Sequence, residues 1–399
     1  MFRNPRRSIV AVQARLLRRS PNMTEQRVLI VGAGVAGLSL AILLANKGMN
    51  AQVLEARERF DGPTSGVRIS SAGTRVLNRM DIDAVGEETT RLILRYGSIT
   101  VRFSTPKKDD CPAIVVTRLA LHESLMERAM SLGVDVATGF EVAEVNESKG
   151  SVEVVSRSGE AISGSLLVGA DGVGSLLRRT LCGDAASHKN YAGYLGVGLI
   201  AADERAVEMT LDHYPGHQVG TASCGRVCQA APHRGVFVWT HMWMPEEMAR
   251  IATRSTVELE LSRRASVWRP ELAQWFARFL ADEHSILVHG PVYNGRVPSK
   301  WYSDRTIIIG DAAHPYGPGG QGISMALKDA SELSDVIASG FSEKAKASFR
   351  QARLEEAGKL GVAAERRNSK PPTSTKVGVM AEGIAMKASQ ILTRGRIAF

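Results

Sequence analysis

The sequence predicts an α/β (α+β) fold with three parts: a parallel-sheet domain, an antiparallel β-sheet inserted into it, and C-terminal helices. Three segments predict this arrangement. A strand, a glycine-rich turn and a helix follow one another at 27–58, and a strand, a glycine- and proline-rich loop and a helix do so again at 306–340. Between them, 186–300 contains alternating or apolar runs separated by turn residues, as antiparallel strands do.

The composition is typical of a globular protein that is not embedded in a membrane. The chain has 399 residues, of which 44% are hydrophobic and 23% charged, enough for two closely connected domains. No apolar run approaches the roughly 18 residues that a membrane span requires. The four cysteines have no zinc-binding or redox spacing, so we expect reduced thiols and no metal site.

The net charge of +9 comes largely from residues 1–22, which hold six arginines and no acidic residue. We expect a disordered basic extension here, consistent with translation starting upstream of Met23. A transit peptide and a membrane-surface helix are the alternatives. No nucleic-acid recognition motif accompanies the charge, so no nucleic-acid partner is predicted.

The first glycine-rich turn has the pattern of a dinucleotide-binding Rossmann unit. Val28–Val31 is an apolar run typical of a strand covered on both faces. Gly32 permits a tight turn, Gly34 lets a pyrophosphate approach the backbone, and Gly37 lets the helix pack closely on the strand. Glu55 ends the second strand, where a carboxylate bonds ribose hydroxyls and repels a 2′-phosphate. The unit therefore predicts FAD or NAD as its ligand rather than NADP.

The second turn predicts a site for the other end of a cofactor. A strand at 306–309 carries Gly310 and Asp311 to the carboxyl end of a sheet, where open α/β sheets bind ligands. Asp311 suits a polyol hydroxyl. The helix that follows Gly320 and Gly322 presents free amides and the positive end of its dipole to a group that gains negative charge. A reduced flavin ring is such a group.

Together these segments resemble the single-component FAD-dependent aromatic hydroxylases, the para-hydroxybenzoate hydroxylase-like monooxygenase family. The segment "GDAAHPYGPGGQGISMALKDA" is similar to the family pattern of GDAAH, a proline-containing loop and GQGxNxxxxDA, with Ser324 where the family has Asn. The segment "LLVGADGVGSLLRR" is similar to the signature GADGxxSxxR. The resemblance implies an FAD-binding domain, and a transient site for NAD(P)H rather than a second Rossmann unit.

The resemblance also implies roles for individual residues. Asp171 braces the FAD site by bonding backbone, Arg118 at a helix start contacts FAD, and Arg68 lies in the flavin-side loop. The full set expected to bind the cofactor is Gly32, Gly34, Ala36, Gly37, Glu55, Arg57, Arg68, Arg118, Asp171, Gly310, Asp311, Pro318, Gly320, Gln321, Gly322 and Ile323.

The substrate side carries weaker signals. Tyr214, Tyr316 and Pro318 are the predicted cavity-lining residues, and a structural role is nearly as good an interpretation for each. Five residues have a side chain of the type that could act as a base: His213, Tyr214, His233, His241 and Tyr293. Most such residues in a sheet are packed or exposed, so no catalytic residue is assigned.

These signals predict five segments. They are a basic extension (1–22), a first FAD-binding part (23–185), a substrate-binding sheet (186–300), a second FAD-binding part (301–340) and C-terminal helices (341–399). We expect the C-terminal helices to pack on the cofactor domain, with a dimer contact, a lid and a transient membrane-surface contact as alternatives. The expected location is cytoplasmic, with peripheral membrane association as the alternative, and the chain is a monomer or a homodimer.

The predicted function is an FAD-dependent monooxygenase that uses NAD(P)H and dioxygen to hydroxylate or epoxidise an aromatic or polycyclic small molecule, as in secondary metabolism or quinone-type biosynthesis. One alternative is a flavin-dependent dehydrogenase or reductase on the same scaffold, which would insert no oxygen. The other is a non-catalytic FAD-binding regulator, whose flavin NAD(P)H would not reduce.

Overall fold

The computed structural model describes most of the chain between Arg27 and Leu392. The described residues are 27–60, 66–82, 86–88, 91–96, 99–104, 111–183, 189–201, 217–221, 227–230, 236–268, 274, 277, 280–281, 285–315, 321–368 and 376–392. The predicted basic extension lies outside them. Within these residues no helix combines the length and apolarity of a membrane span.

The strands, in chain order, are β1 (Val28–Val31), β2 (Ala51–Glu55), β3 (Gly66–Ile69), β4 (Glu87–Glu88), β5 (Arg91–Tyr96), β6 (Ile99–Ser104), β7 (Ile114–Thr117), β8 (Asp135–Thr138), β9 (Val142–Glu147), β10 (Val152–Ser156), β11 (Ala161–Gly164), β12 (Leu166–Gly169), β13 (Lys189–Ala201), β14 (His217–Thr221), β15 (Val227–Ala230), β16 (Val236–Trp243), β17 (Ile286–Gly295) and β18 (Thr306–Ile308). The helices are α1 (Val35–Ala45), α2 (Ser71–Arg79), α3 (Arg118–Ser131), α4 (Leu176–Cys182), α5 (Glu246–Ile251), α6 (Arg254–Trp268), α7 (Gly322–Ala338), α8 (Glu343–Asn368) and α9 (Lys376–Leu392).

The core of the molecule is a five-stranded parallel sheet in the order β18-β12-β1-β2-β8. Every residue of β1, β2 and β18 is buried, because helices or loops cover both faces of a sheet of this kind. The continuous apolar runs in the sequence are therefore correct indicators of central strands. The predicted Rossmann-type architecture is confirmed.

Helix α1 is more deeply buried than its sequence pattern suggests. Its apolar spacing predicts one buried face, yet every residue from Ala36 to Leu44 is buried. The reason is that α1 contacts the sheet through β1 and β2 and is also covered by α3 and α7. The prediction of a single buried face was wrong, because the second cover comes from helices far away in the chain.

A seven-stranded sheet, in the order β17-β13-β16-β15-β14-β5-β6, lies beside this core. All of its neighbouring pairs are antiparallel except β14 with β5, which is parallel. Strands β13 to β17 come from the segment predicted to form the substrate sheet. Strands β5 and β6 come from 91–104, so this layer also uses a stretch that the predicted boundaries assign to the cofactor-binding part.

One contact fixes this second sheet next to the parallel sheet. At the end of β17, the Gly295 amide donates to the Pro315 carbonyl at 2.7 Å. A Cβ on Gly295 would lie 2.5 Å from Pro315 Cγ, so only glycine allows this approach. The end of β17 is thereby held against the loop that follows β18.

We expect Gly37→Ala to destabilise the fold. A Cβ on Gly37 would lie 1.9 Å from the Gly32 carbonyl oxygen, so α1 would have to move away from β1. Overpacking of this kind costs about 3 kcal/mol. Urea unfolding followed by circular dichroism measures the change.

Gly358→Ala is the matched control, because Gly358 also lies in a helix but a Cβ there meets no atom within 4 Å. It should stabilise the protein by about 0.5 to 1 kcal/mol through helix propensity. Equal effects of the two substitutions would contradict the close packing of α1 on β1.

Candidate cofactor site

The candidate site lies where four neighbouring parallel strands end. Val31 pairs with both Leu54 and Gly169, and Gly169 pairs with Ile308, so the carboxyl ends of β2, β1, β12 and β18 are level. The chain leaves these four ends at Glu55, Gly32, Ala170 and Ile309. Motifs that are far apart in the sequence therefore meet at one edge of the sheet, as predicted.

The turn after β1 leaves free space at one glycine only. Gly32 has φ +105°, and a Cβ on it would lie 2.5 Å from the Ala170 carbonyl oxygen. Gly37 is equally restricted, by the backbone of Gly32. A Cβ on Gly34, in contrast, meets no atom within 4 Å. This open backbone just before α1 fits the approach of a pyrophosphate to the helix amides.

Glu55 supports the turn from β2. Its Oε2 accepts a hydrogen bond from the Ala33 amide at 2.8 Å, and its Oε1 accepts from the Arg57 amide and from Arg57 Nε at 2.9 Å. The side chain is almost completely buried. Glu55 thus orders the glycine turn as well as standing at the predicted ribose position.

A small aromatic cluster lies beside this end of the site. The Arg57 guanidinium is 5.1 Å from the Phe60 ring centroid, and Phe60 stacks on His122 of α3 at 4.1 Å. His122 Nε2 lies 2.9 Å from the Ala33 carbonyl oxygen, which can only accept, so the Nε2–H tautomer donates. Burial lowers the pKa of His122 and favours this neutral form. The sequence motifs did not indicate His122, because it contacts backbone and belongs to no motif.

Asp171 has one bonded and one unbonded carboxylate oxygen. Its Oδ2 accepts from the Leu177 amide at 3.2 Å, so it holds the start of α4, consistent with the predicted bracing of backbone. Its Oδ1 is buried and has no hydrogen-bond partner. Burial raises the pKa of this carboxyl. A buried acceptor without a partner beside an open turn is the kind of group that a bound polar ligand satisfies.

Arg178 joins the Asp171 segment to the loop after β18. Its guanidinium is buried and donates from Nη1 to the carbonyl oxygens of Asp311 at 3.1 Å and Ala312 at 2.9 Å, and from Nη2 to Val173. Burial lowers the pKa of Arg178. One side chain therefore holds two segments of the site at a fixed separation.

Asp311 lies next to the first residue of α7. Gly310 has φ +61°, and a Cβ on it would lie 3.0 Å from Ala36 Cβ, so the loop rests on α1. The position of a Cβ on Gly322 is 3.8 Å from Asp311 Oδ1. The Asp311 side chain is open to solvent although protein surrounds it on most sides. Burial raises its pKa, while the positive charges of His314 and Arg118 oppose the increase.

Asp329 of α7 holds the same loop from the other side. Its carboxylate is completely buried and accepts through Oδ2 from the Gly310 amide at 2.8 Å and from His314 Nε2 at 2.6 Å. Its Oδ1 accepts from Arg353 Nε of α8 at 2.6 Å. Arg353 also pairs with Glu356 at 2.6 Å. The loop that carries Asp311 is therefore fixed by a buried ion network.

The charges in this network stabilise one another. Burial alone would raise the pKa of Asp329, but the positive charges of His314 and Arg353 outweigh it and the pKa is lowered. Burial alone would lower the pKa of His314, but Asp329 outweighs it and the pKa is raised. The pair is thus an aspartate and an imidazolium over a wide pH range.

Two further predicted residues come from strand β3 and from the start of α3. Strand β3 pairs with β7 so that Arg68 is opposite Val115, on the strand that leads into α3 at Arg118. Arg118 is exposed and within electrostatic range of Asp311, whereas burial lowers the pKa of Arg68. Arg118 therefore lies near the loop that carries Asp311. That each arginine contacts FAD remains a prediction.

The start of α7 differs from the family pattern at one residue. Gln321 is the N-cap, Gly322 is exposed and Ile323 is half-buried. Ser324, where the family has Asn, is buried, and its Oγ accepts from the Ser70 amide at 2.9 Å. This hydroxyl therefore ties α7 to the start of α2.

The substrate side is only partly described. Tyr214, Tyr316, Pro318 and Gly320 lie outside the described residues, as do His213 and His233. Tyr293 is half-buried on β17, and its hydroxyl is 3.0 Å from Glu246 Oε1 and 3.2 Å from Arg250 Nε. The Tyr293 hydroxyl already donates to Glu246 and accepts from Arg250, which favours a structural role for Tyr293.

The described residues fit both the pyrophosphate part and the ribityl part of an FAD molecule. The free space at Gly34 suits the pyrophosphate, the unbonded Asp171 Oδ1 is available to a polar group nearby, and Asp311 suits a ribityl hydroxyl. No group of three or more His, Cys, Asp or Glu side chains suited to a metal ion occurs within the described ranges.

Three comparisons agree with this site. The profile of the family described as "FAD binding domain" matches residues 25–367. The chain is 27% identical over 335 residues to 3-amino-4-hydroxybenzoate 2-monooxygenase of Streptomyces cremeus, covering 77% of each chain. It is 27% identical over 343 residues to 3-hydroxybenzoate 6-hydroxylase of Polaromonas naphthalenivorans, covering 80% of each. The structure of Klebsiella pneumoniae HpxO with FAD and uric acid superposes with a TM-score of 0.78 at 21% identity, over 93% of this chain and 95% of that one.

We expect Asp329→Asn to destabilise the protein and weaken retention of FAD. The substitution removes the carboxylate that pairs with the buried His314 and one of the carboxylates that pair with the buried Arg353, which costs about 3 to 5 kcal/mol. Urea unfolding and the absorbance of flavin retained after gel filtration measure the two effects. Asp335→Asn is the control on the same helix, because Asp335 is exposed and pairs with Lys47 at the surface. Similar losses in both variants would contradict the role of the buried network.

The Asp329–His314 pair also predicts a pH dependence. A raised histidine pKa stabilises the folded state at pH values below the ordinary pKa of about 6.5, and this contribution is lost as the pH rises through the folded-state pKa. The lowered Asp329 pKa acts in the opposite sense, so its contribution is lost only in acid, below pH 3.8. The difference in unfolding free energy between wild type and Asp329→Asn should therefore be largest between about pH 4 and 6.5 and should decrease above that range.

Proposed function

This chain belongs to the FAD-binding-domain family of FAD-dependent aromatic hydroxylases, and we propose that it uses NAD(P)H and dioxygen to hydroxylate or epoxidise a small aromatic or polycyclic molecule. It is an FAD-dependent monooxygenase. The observation that carries the proposal is the meeting of Gly34, Asp171 and Asp311 at one sheet edge, with α7 starting beside Asp311. The dehydrogenase and regulator alternatives are less well supported, because the relatives are monooxygenases and hydroxylases.

When bound, FAD supplies the redox and oxygen chemistry, and the protein supplies binding, orientation and shielding. The amides at the start of α1 would hold the pyrophosphate at Gly34, and Glu55 would bond the ribose. Asp311 would accept a hydrogen bond from the ribityl chain. Arg178 and Asp329 bond the backbone of the loop that carries Asp311 and so keep Asp311 in place.

The start of α7 provides electrostatic stabilisation. The amides after Gln321 are at the positive end of a helix of 17 residues. A flavin whose pyrimidine edge faces these amides would find negative charge there favoured by groups that are already oriented. The amides at the start of α7 would contribute to catalysis in this way. No residue is assigned as the group that activates the substrate.

The seven-stranded sheet provides the substrate wall. The contact of Gly295 with Pro315 places β17 beside the loop that precedes α7, so a molecule held against this sheet lies next to the flavin end of the site. A wall on this side would exclude water, so that oxygen is transferred to the substrate and is not released as hydrogen peroxide. Because the two relatives are named for 3-amino-4-hydroxybenzoate and 3-hydroxybenzoate, hydroxybenzoates with or without an amino group are the first substrates to examine.

The remaining features of the proposal concern location and assembly. We infer a cytoplasmic protein that is a monomer or homodimer and that makes transient contact with a membrane surface. The support for the membrane contact is the amphipathic, basic C-terminal segment.

We expect substrate-dependent oxygen insertion. With purified holoprotein, NADPH or NADH oxidation should increase severalfold in the presence of a suitable phenolic acid, such as 3-hydroxybenzoate or 3-amino-4-hydroxybenzoate. Mass spectrometry under ¹⁸O₂ should detect one labelled oxygen atom in the product. Product formation that needs no dioxygen would instead indicate the dehydrogenase alternative.

Gly34→Val should abolish FAD retention without unfolding the protein. The new side chain has room in the cofactor-free fold, because a Cβ there meets no atom within 4 Å, but it occupies the space proposed for the pyrophosphate. The affinity should fall by at least about tenfold, measured by flavin fluorescence titration. Gly290→Val, on β17 with equally free space, is the control and should retain FAD. Normal FAD binding by Gly34→Val would place the pyrophosphate elsewhere.

A further inference from the structure

Helix α9 exposes five large apolar side chains to solvent. Val377, Met380, Ile384, Ile391 and Leu392 are 78%, 48%, 61%, 71% and 84% exposed. With about 100° per residue, these positions lie within about 120° of one another on the helix. We call this set the α9 outer face. An amphipathic helix of a globular protein normally turns such a face to the core.

Polar contacts from the border of the outer face and from behind it attach α9 to the sheet. Lys387 Nζ lies 3.5 Å from the Thr100 carbonyl oxygen, and Gln390 Nε2 donates to the Arg102 carbonyl oxygen at 2.5 Å. Both carbonyl groups belong to β6, the edge strand of the seven-stranded sheet. Gly383, on the same side as Gln390, is buried. The helix thus covers a sheet edge through Gly383, Gln390 and the half-buried Met386, and this attachment fixes the outward direction of the exposed apolar residues.

The size of the α9 outer face argues against a second protein as its partner. It comprises five large apolar side chains on a single helix. A stable protein–protein interface uses about 20 to 30 residues and about 800 Å² on each side. A lipid surface has no such requirement, because one helix can lie in the interface with its apolar face among the acyl chains.

The charge of the segment selects the type of lipid. Residues 376–399 contain Lys376, Lys387, Arg394 and Arg396 but a single acidic residue, Glu382. Lys387 lies between Ile384 and Ile391 along the helix, at the border of the apolar face. A segment with this excess of positive charge is attracted to anionic headgroups.

We propose that the α9 outer face binds the surface of an anionic lipid bilayer. Because α9 is attached to the edge of the seven-stranded sheet, binding would hold the proposed substrate wall beside the membrane. The proposal gives the transient membrane contact inferred above a defined surface. It does not depend on the reaction, since it concerns binding by the folded protein alone.

The experiment is flotation of purified holoprotein with vesicles of phosphatidylglycerol and phosphatidylcholine, and with vesicles of phosphatidylcholine alone. We expect binding to the anionic vesicles and weaker binding to the neutral ones, with a decrease at high salt. The double variant Ile384→Glu, Ile391→Glu should bind at least about tenfold more weakly, because two apolar side chains no longer enter the lipid. Its flavin content and turnover should remain those of wild type.

Leu259→Glu is the control, because Leu259 on α6 is 73% exposed and the substitution places a carboxylate at an exposed apolar position outside α9. It should bind vesicles like wild type. Absence of binding by wild type, or an equal loss in Leu259→Glu, would overturn the proposal. So would a concentration-dependent dimer that the double variant abolishes, since the partner would then be a second copy. Vesicle binding without hydroxylation would contradict only the proposed reaction.

Discussion

The buried carboxylate of Asp329 is the interaction on which the arrangement of the site depends. It accepts from the Gly310 amide, from His314 and from Arg353, and so it fixes the loop that carries Asp311 relative to α7 and α8. Arg178 holds the same loop by two carbonyl oxygens from the opposite side. A buried charge is tolerated only when it is paired in this way. Residues 310–314, which include Asp311, are thereby held in place by side chains from three helices.

The parallel sheet brings the loop held by this network next to the other segments of the site. Strands β1, β2, β12 and β18 end at the same level, so the turn at Gly32, the carboxylate of Glu55, the segment at Asp171 and the loop at Asp311 meet along one edge. An extended cofactor can then be held at one end by helix amides and at the other by Asp311 and α7. The substrate sheet is attached by Gly295 and Pro315 at the flavin end. Binding and chemistry are thereby separated along a single ligand.

The sequence predicts the parts of the site that depend on local backbone geometry. The spacing of Gly32, Gly34 and Gly37 predicts a tight turn and close packing of α1 on β1. The apolar run before Gly310 and Asp311 predicts a strand that ends at these two residues. Side chains that bond distant backbone leave no local pattern, and Arg353 and His122 were therefore missed. The same limitation explains the complete burial of α1 and the addition of β5 and β6 to the substrate sheet. The first results from the packing of remote helices on α1, and the second from the pairing of β5 with the remote strand β14.

The central claim is that one FAD molecule spans the two turns. A crystal structure of the holoprotein measures this directly. The account predicts density for the pyrophosphate against Gly34 and for a ribityl hydroxyl within about 3 Å of the Asp311 carboxylate, with the isoalloxazine ring at the start of α7. A flavin bound away from Asp311, or a folded protein that binds no flavin, would contradict it.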